Sequence, residues 1–138
     1  MNTDKNRLPR KGLSKSQHLC SRTAIDLLFS PASHGKGGNG HFTAYPWRCV
    51  WRIAEERHDE TNKILISVPK KKLRHATDRV KMRRRCREAY RLQQDILEKD
   101  YKADIAFIYI GQGITGYSLT SNSINRILKK INDCMDET

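Results

Sequence analysis

The sequence predicts an α+β fold, a single domain in which one antiparallel or mixed sheet is covered by helices. Three observations carry that expectation. A length of 138 residues suits one domain, which can bury most of its unfolded surface without disulfides or a structural metal. Two short runs rich in β-branched residues, KILISV at 63–68 and DIAFIYI at 104–110, read as buried strands. Around them lie stretches with apolar residues at helical spacing, so the order is helix, strands, long helix, strand, helix.

Residues 1–12 read as a flexible basic arm carrying Lys5, Arg7, Arg10 and Lys11. A first helical pattern opens at Leu13-Ser14-Lys15-Ser16, where Ser14 or Ser16 could cap it. It takes apolar positions from Leu19, Ile25, Leu28 and Phe29, and Ser30-Pro31 stops it. The Gly-rich stretch 33–40 reads as a mobile loop. Residues 41–55 read as extended: Trp47, Cys49, Trp51 and Ile53 share one face at period two, with Arg48, Val50 and Arg52 on the other. Pro46 bends or interrupts this strand. Polar residues 55–62 make a turn, and Pro69 ends the following strand.

The longest helix is expected from Ala76 or Asp78 to Leu97, with Thr77 or Asp78 as N-cap. After the second buried strand, Gly111, Gly113 and Gly116 punctuate a loop. A last amphipathic helix covers 120–134 and turns Ile124, Ile127, Leu128 and Ile131 inward. The domain is then 13–134, with 135–138 a short acidic tail and no internal repeat.

The charge balance narrows the function. Lys and Arg number 27 against 15 Asp and Glu, a net charge of +12. Self-repulsion of that size opposes compaction, which points to a polyanionic partner: nucleic acid first, an anionic membrane second. The plainer alternative is a charged surface kept for solubility, which does not require one sign to dominate. Cys20, Cys49, Cys86 and Cys134 form no C-x-x-C pair, so they carry no zinc signature and read as reduced thiols in a cytoplasmic protein. The polar start lacks the apolar stretch of a signal peptide, and the longest apolar run, 105–110, is too short to cross a bilayer. The five histidines are scattered among polar neighbours, and the carboxylates form no clustered metal set, which favours binding over catalysis by this chain.

The segment 70–91 holds Lys70, Lys71, Lys72, Arg74, Arg79, Lys81, Arg83, Arg84, Arg85, Arg87 and Arg91, opposed only by Asp78 and Glu88. At about 100° per residue, Met82, Cys86, Ala89, Tyr90, Ile96 and Leu97 fall on one arc, and Lys81, Arg83, Arg84, Arg87 and Arg91 fall opposite. Arg79 and Arg85 flank the apolar stripe. Arginines at i, i+4 and i+8 project in a row. Each planar guanidinium can contact two phosphate oxygens or stack on a base, and a polyphosphate relieves the repulsion within the row. Trp47 and Trp51, with Tyr45 across Pro46, could stack unpaired bases, although tryptophans on an inward sheet face serve equally as core.

At this helix the sequence resembles the bacterial ribonuclease P protein family. The family signature is a strand ending S-V-x-K-K, a loop, and a helix R-N-x-x-K-R-x-x-R-E. Here Ser67-Val68-Pro69-Lys70-Lys71 is followed by Arg79-Val80-Lys81-Met82-Arg83-Arg84-Arg85-Cys86-Arg87-Glu88. The basic positions match at Arg79, Arg83, Arg84 and Arg87, Glu88 is in place, and Val80 stands where the family has asparagine. The resemblance implies a sheet of about four strands packed by three helices, with a left-handed β-α-β crossover that the general right-handed rule would not suggest.

The resemblance also implies a role as the protein subunit of a ribonucleoprotein that removes the 5′ leader of precursor tRNA. Its partners would be the catalytic ribonuclease P RNA and precursor tRNA, with no membrane and no obligate protein partner evident. Hydrolysis would rest on the RNA and on Mg2+ held mainly by it. Lys70, Lys71, Lys72, Arg74, Arg79, Lys81, Arg83, Arg84, Arg87 and Arg91 are then the expected RNA-binding residues, and Trp47 and Trp51 the candidates for the leader cleft. The main alternative is a structural RNA-binding protein of ribosomal-protein type. A stand-alone nuclease and a DNA-binding regulator stand further off.

Overall fold

The computed structural model describes residues 17–19, 22–30, 39–54, 61–97 and 102–136. The expected basic arm, the start of the first helix and most of the Gly-rich loop lie outside those residues. Strand β1 (Gly40–Ala44) and strand β2 (Trp47–Ile53) form an antiparallel hairpin in which Ala44 pairs with Trp47. The extended region expected over 41–55 is thus two strands, and Tyr45-Pro46, joined by a cis peptide bond, is the turn between them. Proline has no N–H to give to a ladder, so it sits where the ladder reverses.

Strand β3 (Lys63–Ser67) lies parallel to strand β4 (Ala103–Tyr109), and β4 lies antiparallel to β2, giving the order β1-β2-β4-β3. Helix α2 (Ala76–Gln93), extended by one 3-10 turn at Gln94–Ile96, connects the parallel pair as a β-α-β unit. Helix α1 (Arg22–Leu28) precedes the sheet, and helix α3 (Tyr117–Asp136) closes the fold. Three helices on a four-stranded mixed sheet make the expected α+β architecture.

Period-two alternation sends Trp47, Cys49 and Trp51 of β2 and Ala103, Ile105, Phe107 and Tyr109 of β4 to one face. That face is covered by Met82, Cys86, Ala89 and Tyr90 of α2 and by Ile124, Ile127, Leu128 and Ile131 of α3, all of them buried. The two helical stripes read from the sequence are therefore the ones that pack. Gly40 is required here, because a Cβ would lie 2.9 Å from Cζ2 of Trp51. On the other face Leu19, Ala24 and Leu28 pack against Val50 and Ala106. There too Arg52 of β2 meets Asp104 of β4 at 3.2 Å, buried and paired.

Three boundaries differ from expectation. Residues 17–19 do not continue α1: His18 bridges Ile64 in parallel, and Leu19 donates its N–H to the Ile64 carbonyl at 2.9 Å. Leu19 thus reaches the core from beside the β3 edge, and among the described residues of this region the α-helix is Arg22–Leu28. Helix α2 is preceded by His75, and neither Thr77 nor Asp78 caps it. Helix α3, Tyr117–Asp136, passes the expected 120–134 at both ends, and Met135 at its close joins the core.

Candidate nucleic-acid interface

Strand β3 is followed by Val68 and a turn in which the N–H groups of Lys72 and Leu73 both donate to the Pro69 carbonyl. Leu73 is buried and anchors this turn, while Lys70, Lys71 and Arg74 are exposed and Lys72 half-buried. Arg79, one turn into α2, folds back on it: its Nη1 donates to the carbonyls of Leu73 and Arg74, each at 2.9 Å. One guanidinium therefore joins the turn to the helix, while the helix N-terminus itself has no side-chain cap.

Further along α2 the apolar stripe turns Lys81 and Arg84 outward, exposed, and leaves Arg83 and Arg87 half-buried at its margin. Arg85 points the other way, donating to the Thr115 carbonyl and tying α2 to the loop before α3. Arg91 forms a two-bond fork with Glu88, Nε to Oε1 at 3.0 Å and Nη2 to Oε2 at 2.5 Å. That hydrogen bonding holds the Glu88 carboxyl below its usual range and the Arg91 guanidinium above its own. Asn125 donates Nδ2–H to Gln93 Oε1 at 2.9 Å and so ties α3 to the end of α2, and Gln93 also donates to the Ser121 carbonyl at 3.0 Å.

Between the extended segment at 17–19 and α2 lies a groove. Its larger part, about 360 Å³, is lined by His18, Arg84, Arg87, Glu88 and Arg91. Its smaller part, about 170 Å³, shares His18 and Arg87 and adds Leu19, Arg83 and the Ile64, Leu65 and Ile66 stretch of the β3 edge. Several basic residues expected to bind RNA are therefore gathered along one concave surface: Arg83, Arg84, Arg87 and Arg91. Lys70, Lys71, Lys72 and Arg74 occupy the turn that feeds α2, Lys81 lies on the outer helix face, and Arg79 is partly engaged by the backbone.

Trp47 and Trp51 require correction. Both are buried, at 0% and 1% exposure, in the core between the sheet and α2–α3. Trp47 packs edge-on against Tyr109 at 5.1 Å and gives its indole N–H to the Thr120 hydroxyl at 3.2 Å. No base can stack on either ring in this fold. Tyr45 does not join them: it is half-exposed in the hairpin turn. His18 and Glu88 are the groove residues that sequence reasoning did not single out for binding. His18 arrives there through the bridge to Ile64, a long-range pairing without a local signal. Glu88 had one, its i,i+3 spacing to Arg91.

Among the described residues, no three His, Cys, Asp or Glu side chains are grouped to hold a metal ion, and no helix is long and apolar enough to cross a membrane. Comparison with known proteins agrees with the geometry. The family model described as Ribonuclease P matches residues 13–136. The ribonuclease P protein component of Porphyromonas gingivalis W83 is 33% identical over 128 residues, covering 89% of this chain and 88% of that one. The protein of a second strain of that species is 33% identical over 125 residues, covering 87% and 86%. The RNase P protein of Staphylococcus aureus shares the fold at a TM-score of 0.63 and 18% identity, over 83% of this chain and 94% of that one. That of Thermotoga maritima does so at 0.63 and 19%, over 82% and 96%. A family match across nearly the whole chain, with relatives a third identical and the same fold in solved structures, shows that this chain belongs to the ribonuclease P protein family.

Proposed function

We propose that this chain is the protein subunit of a ribonuclease P ribonucleoprotein, which binds the catalytic RNA and the 5′ leader of precursor tRNA and so promotes tRNA 5′ maturation. The observation that carries the reading is the placement of Arg83, Arg84 and Arg87 along a groove on α2, in a chain that belongs to this family. A row of guanidiniums lowers the repulsion between RNA segments brought side by side and releases condensed counterions. The leader, single-stranded, enters the groove between α2 and the β3 edge, where the half-buried Leu65 and Ile66 offer apolar contact beside the cations. In this reading hydrolysis is performed by the RNA with Mg2+ that the RNA holds. The protein contributes binding and orientation.

The test is precursor-tRNA cleavage at low magnesium with a bacterial ribonuclease P RNA alone, the protein alone, and both together. Correct 5′ cleavage enhanced only in the mixture is the expected result. Binding without enhancement would favour a structural RNA-binding role, and cleavage by protein alone would place the chemistry on this chain. Arg83→Ala, Arg84→Ala and Arg87→Ala combined should weaken assembly while the domain stays folded. Lower stability with assembly unchanged would assign the row a structural role instead.

A further inference from the structure

The groove contains a group that phosphate binding does not explain. Of the side chains lining its larger part, three are guanidiniums, one is an imidazole and one, Glu88, is a carboxylate. A carboxylate repels phosphate, so a surface built for phosphates alone gains nothing from it. Glu88 is also held in place rather than left to swing away. Its fork with Arg91 fixes both oxygens, and its side chain remains 46% exposed. The fork occupies one lone pair on each oxygen and leaves one on each to accept. The same fork favours the ionised form, which can accept hydrogen bonds but cannot donate them. A volume of about 360 Å³ falls in the range of cavities that hold small ligands.

We propose that this cavity receives one splayed nucleotide of the bound RNA, with its phosphate on Arg84 and Arg87 and its base edge on Glu88, which makes the site selective for a base carrying an exocyclic amino group. The proposal rests on the reading of α2 as an RNA-binding helix and adds what that helix selects. Cytosine and uracil isolate the effect, since they have the same ring size and differ at one edge position. Cytosine presents an amino donor there, which a carboxylate accepts, and uracil presents a carbonyl, which it repels. Glu88 acts as a specificity residue, and Arg91 acts through it as a positioning residue.

The experiment measures binding of the full chain to single-stranded oligocytidine and oligouridine of equal length across a salt series, with a full-length ribonuclease P RNA in parallel. The wild-type protein should prefer oligocytidine by about fivefold or more, the size of one base-edge contact. Glu88→Gln keeps the side-chain size but removes the charge and adds a donor, so the preference should fall toward unity. Glu88→Ala should abolish the preference. Oligouridine, relieved of the carboxylate's repulsion, should then bind more tightly, while oligocytidine, which loses its contact, should not. A pair that only braces the helix predicts neither tighter binding nor a changed ratio. Tight binding of the ribonuclease P RNA with no cytidine preference, or a preference unchanged in both variants, overturns the base-selection proposal alone. Failure to bind any of the three RNAs would instead overturn the reading of α2 on which it rests.

Discussion

Arg79 shows how one side chain in a basic run can serve the fold and the surface together. Its Nη1 bonds two carbonyls of the preceding turn, so Arg79→Ala should cost about 1 kcal/mol of stability as well as RNA affinity. Arg84 is exposed, and Arg84→Ala should shift stability by no more than about 0.5 kcal/mol while still weakening RNA binding. Denaturant midpoints at constant slope separate the two. Equal midpoints for both variants would show that the Arg79 bonds carry no weight. The tryptophans mark the opposite limit. Alternation placed Trp47 and Trp51 on a common face, and they are on one, but alternation cannot say which face the helices cover. Both faces of this sheet carry apolar side chains, so the choice depended on long-range packing. Trp47→Ala should cost about 3–5 kcal/mol by leaving a cavity. Its RNA binding should then fall only as the folded fraction falls; a selective loss of leader binding in a fully folded variant would restore a contact role.

Helix α2 was the most legible element, because its apolar and cationic arcs repeat at helical period over five turns, and the buried residues Met82, Cys86, Ala89 and Tyr90 are the ones the wheel selects. Its cap was not legible: two candidate side chains lie within reach of the start, yet the helix begins after His75 with no side-chain cap. The hairpin was half legible, since Pro46 signals an interruption but not whether the strand bends or reverses. The first helical pattern was read through His18 and Leu19, which lie along the β3 edge, because a bridge to Ile64 leaves no mark in local spacing. The seam between α2 and the sheet yields a pH prediction. Burial pushes the Cys49 and Cys86 thiols well above their usual range, so both keep their protons in the fold. The folded values lie above the unfolded one, so this contribution is complete below about pH 8.5 and is lost as pH rises beyond it. Thermal midpoints should therefore fall more steeply above that pH in the wild type than in Cys86→Ala. Parallel profiles would rule out the thiol contribution.

At the scale of the molecule, a net charge of +12 acts as a field more than as a set of pairs. If about five phosphates are neutralised on the α2 surface, log affinity should fall against log salt with a slope of roughly −3.5 to −4.5. A slope near zero would mean that the cationic row is not the binding surface. The β-α-β connection has a further consequence in the order of synthesis. The ribosome releases β3 and α2 before β4, the strand that β3 pairs with, and before α3, which closes the core over the apolar stripe of α2. Until those later segments emerge, the arginine-rich stretch has no surface to lie on, and its like charges oppose helix formation. The binding surface is encoded in the middle of the chain but takes shape at the end of translation, so a nascent chain halted before β4 presents positive charge without the folded groove.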